Sequence, residues 1–264
     1  MDPSGKFFDS GPGRAHAMIS GWEEFGAPVS AIMLCLFCRC FAWRLTQRYC
    51  LQAGMEIWVG EIAAAWHSGE PGVTNRFISS FWYADALGLL ATINHTGFCR
   101  QSLIGGNYGL LNRTTAEPNP DFFMAQMFHD RMGTRVLNLT ASTHSEGFRT
   151  YAHCEDGAAA KKGAATLLLI NVSPTVTFTA TLPPATTTKA GKPYEVFEFS
   201  AGDGTKPQWN GLDSQHIQMN GDLLHTMTPG VLPALTPKMS SSAEVHVKPL
   251  MISFVSVSGV AACS

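Results

Sequence analysis

Residues 56–132 switch repeatedly between strand-like and helix-like hydrophobic patterns, and that rhythm admits few architectures. The run Glu56-Ile57-Trp58-Val59-Gly60-Glu61 is a short apolar stretch that ends in a carboxylate, as a buried strand would. Ile62 to Gly69 follows as a small-residue loop with Trp66 at its tip. Asn75 to Leu90 reads as a helix whose apolar face carries Phe77, Phe81, Ala84 or Asp85, and Gly88. Gly97 to Ile104 reads as a second strand and stops at Gly105-Gly106-Asn107-Tyr108. Asn119-Pro120-Asp121 then opens a helix over Phe122–Met132, with Asp121 as its expected cap and Gly133 as its stop. Strand, helix, strand, helix is the order of a parallel barrel or an open parallel sheet.

Beyond residue 141 the pattern changes. Arg149–Cys154, Ala165–Val172, Thr175–Leu182, Tyr194–Ser200, His216–Asn220 and Leu250–Val257 read as short strands. Pro183-Pro184 and Pro229 to Pro237 fall in loops between them. Their β-branched and aromatic content and near-regular spacing suit an antiparallel sandwich. The fold class is therefore α/β plus all-β. The expected divisions are 1–54, a non-matching and poorly ordered N-terminal segment; 55–141, the α/β part; and 142–264, the sandwich.

Residues 1–54 differ in texture from the rest. Met1 to Gly26 is rich in glycine and charge without periodicity. Ala27 to Trp43 is apolar but shorter than a membrane span, and it contains Arg39. It also starts too late for a secretory signal, so no convincing signal peptide is present. Only 14% of the 264 residues are charged and the net charge is −2, which argues against disorder and against a nucleic-acid partner. Cys35, Cys38 and Cys40 have no second ligand pair at finger spacing, so no metal is expected. Four Asn-x-Ser/Thr sequons, at Asn94, Asn112, Asn138 and Asn171, point to a glycosylated, secreted or lysosomal/vacuolar protein, the last weakened by Pro174.

Several residues carry candidate chemistry. Glu61 would lie at the C-terminal end of its strand, where (β/α)₈ enzymes place their reactive groups. Gly105-Gly106 permits close backbone approach to a ligand and Tyr108 is suited to stacking on or bonding a sugar, though Gly-Gly is also an ordinary turn. Cys154 ends a strand and Cys263 is the next-to-last residue, yet seven cysteines leave the pairing open. Cys99 reads as a buried thiol and His129 as a surface histidine rather than as a nucleophile pair. His153 reads as structural.

Taken together, Trp58-Val59-Gly60-Glu61, Val73-Thr74-Asn75, Phe81-Trp82-Tyr83, Cys99-Arg100-Gln101-Ser102-Leu103, Gly105-Gly106-Asn107-Tyr108-Gly109-Leu110-Leu111-Asn112 and Pro118-Asn119-Pro120-Asp121 resemble the heparanase-like glycosidases, glycoside hydrolase family 79, in particular its plant members. The resemblance covers about residues 55–264 and thins beyond 140 to Tyr151-Ala152-His153-Cys154, Thr166 to Asn171 and Cys263. It implies the C-terminal remnant of a (β/α)₈ barrel followed by a β-sandwich, and a retaining mechanism without a cofactor. It implies a glucuronide-containing carbohydrate as substrate, with room for peripheral membrane or cell-wall association. Glu61 matches the catalytic nucleophile, and Trp66, His67 and Ser68 match the cleft-lining loop. Gly106, Asn107 and Tyr108 match a sugar-contacting turn, and Cys154 and Cys263 match a disulfide. Ala63 and Ala64 stand where plant members usually carry glycine, so a methyl group there is expected either to crowd the cleft or to shift the backbone. The family's acid/base lies in an Asn-Glu-Pro motif, and this sequence has none; Glu117-Pro118 is preceded by alanine. Retaining hydrolysis requires two carboxyl groups, so the chain is expected to be inactive or nearly so by itself. The alternative is a secreted, non-catalytic carbohydrate-binding or interaction module.

Overall fold

The computed structural model describes residues 56–139, 147–156, 163–182, 194–203, 209–225 and 231–264. The expectations for residues 1–54, with Cys35, Cys38, Cys40 and Cys50, and for Pro183-Pro184 and Pro229 lie outside these residues.

The first elements are β1 (Ile57–Ile62), α1 (Phe77–Thr92), β2 (His95–Arg100) and α2 (Pro120–Arg131). β1 and β2 pair in parallel, and among the described residues they pair only with each other, so no barrel is closed. β2 ends at Arg100, four residues before the expected end at Ile104. The chain doubles back there: Leu110 N–H donates to Ser102 O and Leu111 N–H to Leu103 O, which a continuing strand would not permit.

The remaining strands are β3 (Phe148–Cys154), β4 (Ala164–Asn171), β5 (Phe178–Thr181), β6 (Tyr194–Ala201), β7 (Ile217–Met219), β8 (Asp222–Leu224), β9 (Lys238–Ser240), β10 (Glu244–Val247) and β11 (Met251–Ser258). Seven of them form one sheet in the order β3-β4-β11-β6-β7-β8, with β9 also paired to β6. β5 and β10 form a separate antiparallel pair. Along β11 the two-residue period sends Ile252 and Phe254 to one face and Val255 and Val257 to the other. The first face packs on α1 and α2 together with Leu168, Ile170, Phe197 and Phe199. The second packs with Val245 and Val247 of β10 and with Leu169 and Val196. Burial on both faces explains the unbroken apolar run Leu167-Leu168-Leu169-Ile170. One apolar core thus joins the α/β part to the large sheet, and residues 135–137 also run along the edge of β3 through Cys154 N–H to Arg135 O and Leu137 N–H to Ala152 O.

α1 departs from the one-faced helix expected from its sequence. Twelve of its 16 residues are buried, because the parallel pair and α2 cover one side and the large sheet covers the other. Its first N–H groups have no side-chain cap. Ser214 O and Leu212 O accept from Phe77 and Ile78 instead, so a loop of the sheet part closes the helix start. α2 likewise corrects the expected cap. Asn119 is its N-cap residue and Pro120 its first residue, while Asp121 is buried and bonded elsewhere. A disulfide joins Cys154 to Cys263 across 109 residues, a closure worth about 4–5 kcal/mol on the chain-entropy account.

Tyr151 of β3 reaches across to α1. Its hydroxyl donates to Asp85 Oδ1 at 2.5 Å. Its ring lies where a side chain at position 88 would be, so only glycine fits there. Burial lifts the Asp85 carboxyl above the usual carboxylate range, against the Tyr151 hydrogen bond and the Arg149 charge that pull it down. The folded protein therefore holds this proton where the unfolded chain has released it. Stability falls as pH rises from the ordinary carboxylate pKa through the raised one. Asp121, also raised by burial, acts in the same direction. Asp85→Asn is expected to flatten this fall in part, as read by urea unfolding at stepped pH. An unchanged slope would exclude Asp85 as a contributor.

Candidate active site

Glu61 is exposed near the C-terminal end of β1. The β1–β2 register is regular at Trp58–Gly97 and Val59–Phe98, shifts, and resumes at Ile62–Arg100, so Glu61 lies within the irregularity. Such shifts redirect side chains at sheet ends. Trp58, 61% exposed, lies over Gly97, where a methyl group would collide with its indole, and its Nε1–H donates to Glu56. Gln101 N–H donates to Ile62 O, so the segments after β1 and β2 leave the sheet side by side.

Those two segments are fastened together. Asn107 N–H donates to Ser68 O at 2.5 Å, and Thr74 Oγ1 donates to Asn107 O at 2.7 Å. Gly69 N–H donates to Trp66 O, closing the loop on itself. His67, Ser68 and Gly69 have φ of 50°, 68° and 82°, a left-handed run that costs the two side-chain-bearing residues more than glycine. Trp66, His67 and Ser68 are exposed. The structure thus brings the expected cleft loop, 66–68, against the expected sugar-contacting turn, 106–108, at the sheet end that carries Glu61. Tyr108 requires a correction: it is 9% exposed, with its ring against Gly69 and Gly106, so packing occupies the ring proposed as a stacking platform. Ala63 and Ala64 are half-buried, and Ala64 packs against the core.

Sequence reasoning assigned no role to Arg100 or Thr74, and it made Asp121 a cap. Arg100 forms an ion pair with Asp121 at 2.8 Å, the side chains being 4% and 1% exposed. It donates to Tyr108 O at 2.6 Å and to Gln101 O, and its guanidinium lies 5.2 Å from the ring centroids of Trp82 and Tyr83. Ser79 Oγ completes the Asp121 site at 3.4 Å. Burial pushes the Tyr83 hydroxyl up to about 12, partly opposed by the Arg100 charge. The one available sequence signal was Arg100 beside an apolar strand with Asp121 opening the next helix; nothing in the linear pattern paired them.

Other candidates separate from this site. Asn171 has no exposed surface, and its Nδ2 donates to Val176 O, Val247 O and Lys248 O; the fold leaves it no surface at which to accept a glycan. Asn94 and Asn138 are exposed, and Asn112 Oδ1 accepts from Thr114 and Thr115 N–H. Cys99 is exposed rather than buried, and His129 is exposed beside Asp130. His153 is buried, bonded to Gly133 O and set edge-on to Phe128. Ser214, Asp203 and His216 gather hydrolase-like groups, but Ser214 is buried, accepts the Gly202 and Asp203 N–H groups and donates to Asp203. Burial would raise the Asp203 carboxyl, yet the Ser214 and His216 hydrogen bonds dominate and hold it at about 2. A cavity of about 370 Å³ lined by Thr92, Asn94, Leu137, Asn138 and Tyr151 lies away from Glu61. Among the described residues no group of three or more His, Cys, Asp or Glu is placed to hold a metal, and no helix is long and apolar enough to cross a membrane.

The profile described as glycosyl hydrolase family 79, N-terminal domain, matches residues 44–88, a span containing Glu61 and reaching into the segment expected to be foreign. Baicalin-beta-D-glucuronidase of Scutellaria baicalensis is 37% identical over 203 residues, 76% of this chain and 36% of that protein. The chain belongs to glycoside hydrolase family 79. Heparanase-like protein 3 of Arabidopsis thaliana is 35% identical over 77% of the chain and 40% of its own length, and heparanase of Bos taurus 31% identical over 79% and 38%. The chain spans 36–40% of the length of these relatives. In fold it is similar to a family 44 xyloglucanase of Paenibacillus polymyxa, with a TM-score of 0.52 at 14% identity over 93% of this chain and 42% of that one.

Gly106 tests the fastening of loop to turn. At φ +62°, a β-carbon there would lie 2.9 Å from Ser68 O and 3.1 Å from the Tyr108 ring. Gly106→Ala is expected to lower stability by about 1–2 kcal/mol in chemical unfolding. Unchanged stability would mean that the turn relaxes without resistance.

Proposed function

We propose that this chain is a glycoside hydrolase of the β-glucuronidase and heparanase type that presents the nucleophile side of a retaining site. The observation that supports this most is the convergence of Glu61, the 66–69 loop and the 105–108 turn at the C-terminal end of a parallel β pair. In this reading β1, α1, β2 and α2 are the closing elements of a (β/α)₈ barrel and the two-layered sheets are its sandwich partner. Glu61 attacks the anomeric carbon and forms a glycosyl ester. Trp66, His67, Ser68, Gly106 and Asn107 line the sugar. The leaving oxygen takes a proton from a second carboxyl in the full reaction. The sequence has no Asn-Glu-Pro to supply it, so the chain cleaves natural glucuronides poorly or not at all. Two relatives carry glucuronidase or heparanase in their names, which favours a glucuronide-containing carbohydrate over a neutral glycan. The Cys154–Cys263 disulfide and the exposed Asn94 and Asn138 sequons favour a secretory, lysosomal or vacuolar setting. A second reading, a secreted carbohydrate-binding module without turnover, is favoured by the β1–β2 pair having no further partner strand among the described residues.

Aryl β-glucuronides with leaving groups of graded acidity test the proposal. Glycosyl-ester formation is expected only with the most acidic phenols, with a steep dependence on leaving-group pKa, and Glu61→Gln abolishes it. Rates independent of leaving-group pKa would show that a general acid is present. Undiminished rates in Glu61→Gln would remove Glu61 from the reaction. Binding with no bond cleavage for any aglycone would favour the second reading.

A further inference from the structure

The contacts of Arg100 are distributed in a way that stabilising an ion pair does not require. A buried pair of this kind is weak evidence for stability, since desolvation offsets attraction. A pair built for strength would use two parallel hydrogen bonds. Here only Nη2 meets Asp121, at Oδ2, while Asp121 Oδ1 and Arg100 Nε are buried with no hydrogen-bond partner among the described residues. The other contacts go to main-chain carbonyls: Nη2 to Tyr108 O at 2.6 Å and Nη1 to Gln101 O. Gln101 and Tyr108 bracket the segment that holds Gly105, Gly106 and Asn107. Asp121 fixes the guanidinium from the side of α2, and Trp82 and Tyr83 hold its plane from α1. The guanidinium thereby gathers both ends of the 101–108 segment onto the helical layer.

The consequence falls on Asn107. Its N–H is committed to Ser68 O and its C=O to Thr74 Oγ1, so its backbone is fixed from the loop side. Tyr108 O, the next carbonyl, is fixed by Arg100 from below. We infer that Arg100 is a positioning residue: it clamps the Gly105–Tyr108 turn against the Trp66–Gly69 loop and so sets Asn107 in its sugar-contacting place. The inference rests on the glucuronidase reading above for the identity of the ligand, but the clamp itself does not. A planar guanidinium reaches three acceptors in fixed directions. A lysine ammonium keeps the charge beside Asp121 but not that fork.

Arg100→Lys in the full chain, followed by residue-resolved hydrogen exchange, thermal unfolding and binding of an aryl β-glucuronide, tests this. Exchange at Asn107, Leu110 and Leu111 is expected to rise about tenfold or more, the loss of one hydrogen bond to a charged donor. Exchange in β4 and β11 is expected to stay unchanged, with glucuronide affinity about tenfold weaker. Unchanged exchange at Asn107 overturns the clamp. A rise spread equally over β4 and β11 overturns it too, since that marks a general stabilising role. A local rise with unaltered glucuronide affinity overturns the positioning of Asn107 for sugar. If the wild-type chain binds no glucuronide while the local rise persists, the clamp is supported and the glucuronidase reading fails. Should Arg100→Lys not fold, the double variant Arg100→Met with Asp121→Leu removes both buried charges and is read the same way. Its Asn107 amide is expected to exchange faster, and an unchanged rate overturns the clamp.

Discussion

Burial of α1 around most of its circumference is the constraint on which the rest of the structure depends. Phe81, Trp82 and Phe77 are packed between the parallel pair and the seven-stranded sheet, so neither side has a complete core without this helix. Its start is closed by carbonyls of the sheet part, and its middle is bonded to Tyr151 through Asp85. The same helix offers Trp82 and Tyr83 to Arg100. The chain of contact therefore runs from β3 through α1 to the end of β2. A polar pair such as Asp85–Tyr151, which adds little net stability to a packed interface, fixes which turn of the helix faces the sheet.

Much of this was legible in the sequence because long segments bury a regular face. β1, α1, α2, β3, β4, β6 and β11 are each six or more residues long and read from their period or, in β4, from an unbroken apolar run, and their positions follow to within a few residues. β8, β9 and β10 are three or four residues long and carry no readable period. α1 misled in another way. Its sequence suggests one apolar face through Phe77, Phe81, Ala84 or Asp85, and Gly88, yet Ser79 and Ser80 off that face are buried too, Ser79 bonded to Asp121, and Asp85 is bonded to Tyr151. A buried polar group bonded to a distant residue is invisible to periodicity. Asn171 shows the converse: a modification signal in sequence becomes a main-chain clamp in the fold.

For the site, the position of Glu61 at a strand end and of Gly105-Gly106 at a turn was visible in the sequence. Stacking on Tyr108 was expected because an aromatic ring beside glycines looks the same in sequence whether it awaits a ligand or fills the space that the glycines leave. Arg100 was missed because two of its partners, Gln101 O and Tyr108 O, are main-chain carbonyls that no side-chain pattern marks, and the third, Asp121, lies 21 residues away. The chemistry follows from this arrangement. In the proposed reading the loop and turn at one sheet end shape the site and Glu61 is its nucleophile, while proton transfer to the leaving group needs a carboxyl that the sequence does not carry in the family's motif.

The assignment of Glu61 as nucleophile is tested most directly by trapping. A 2-deoxy-2-fluoro-β-glucuronyl fluoride slows both steps but departs without protonation, so attack by the nucleophile alone accumulates an ester. Mass spectrometry of the treated chain is predicted to show one added fluoroglucuronyl group, located by peptide mapping on Glu61 and absent from Glu61→Gln. An adduct on another carboxylate, or an unmodified chain after prolonged exposure to saturating reagent, would contradict the account.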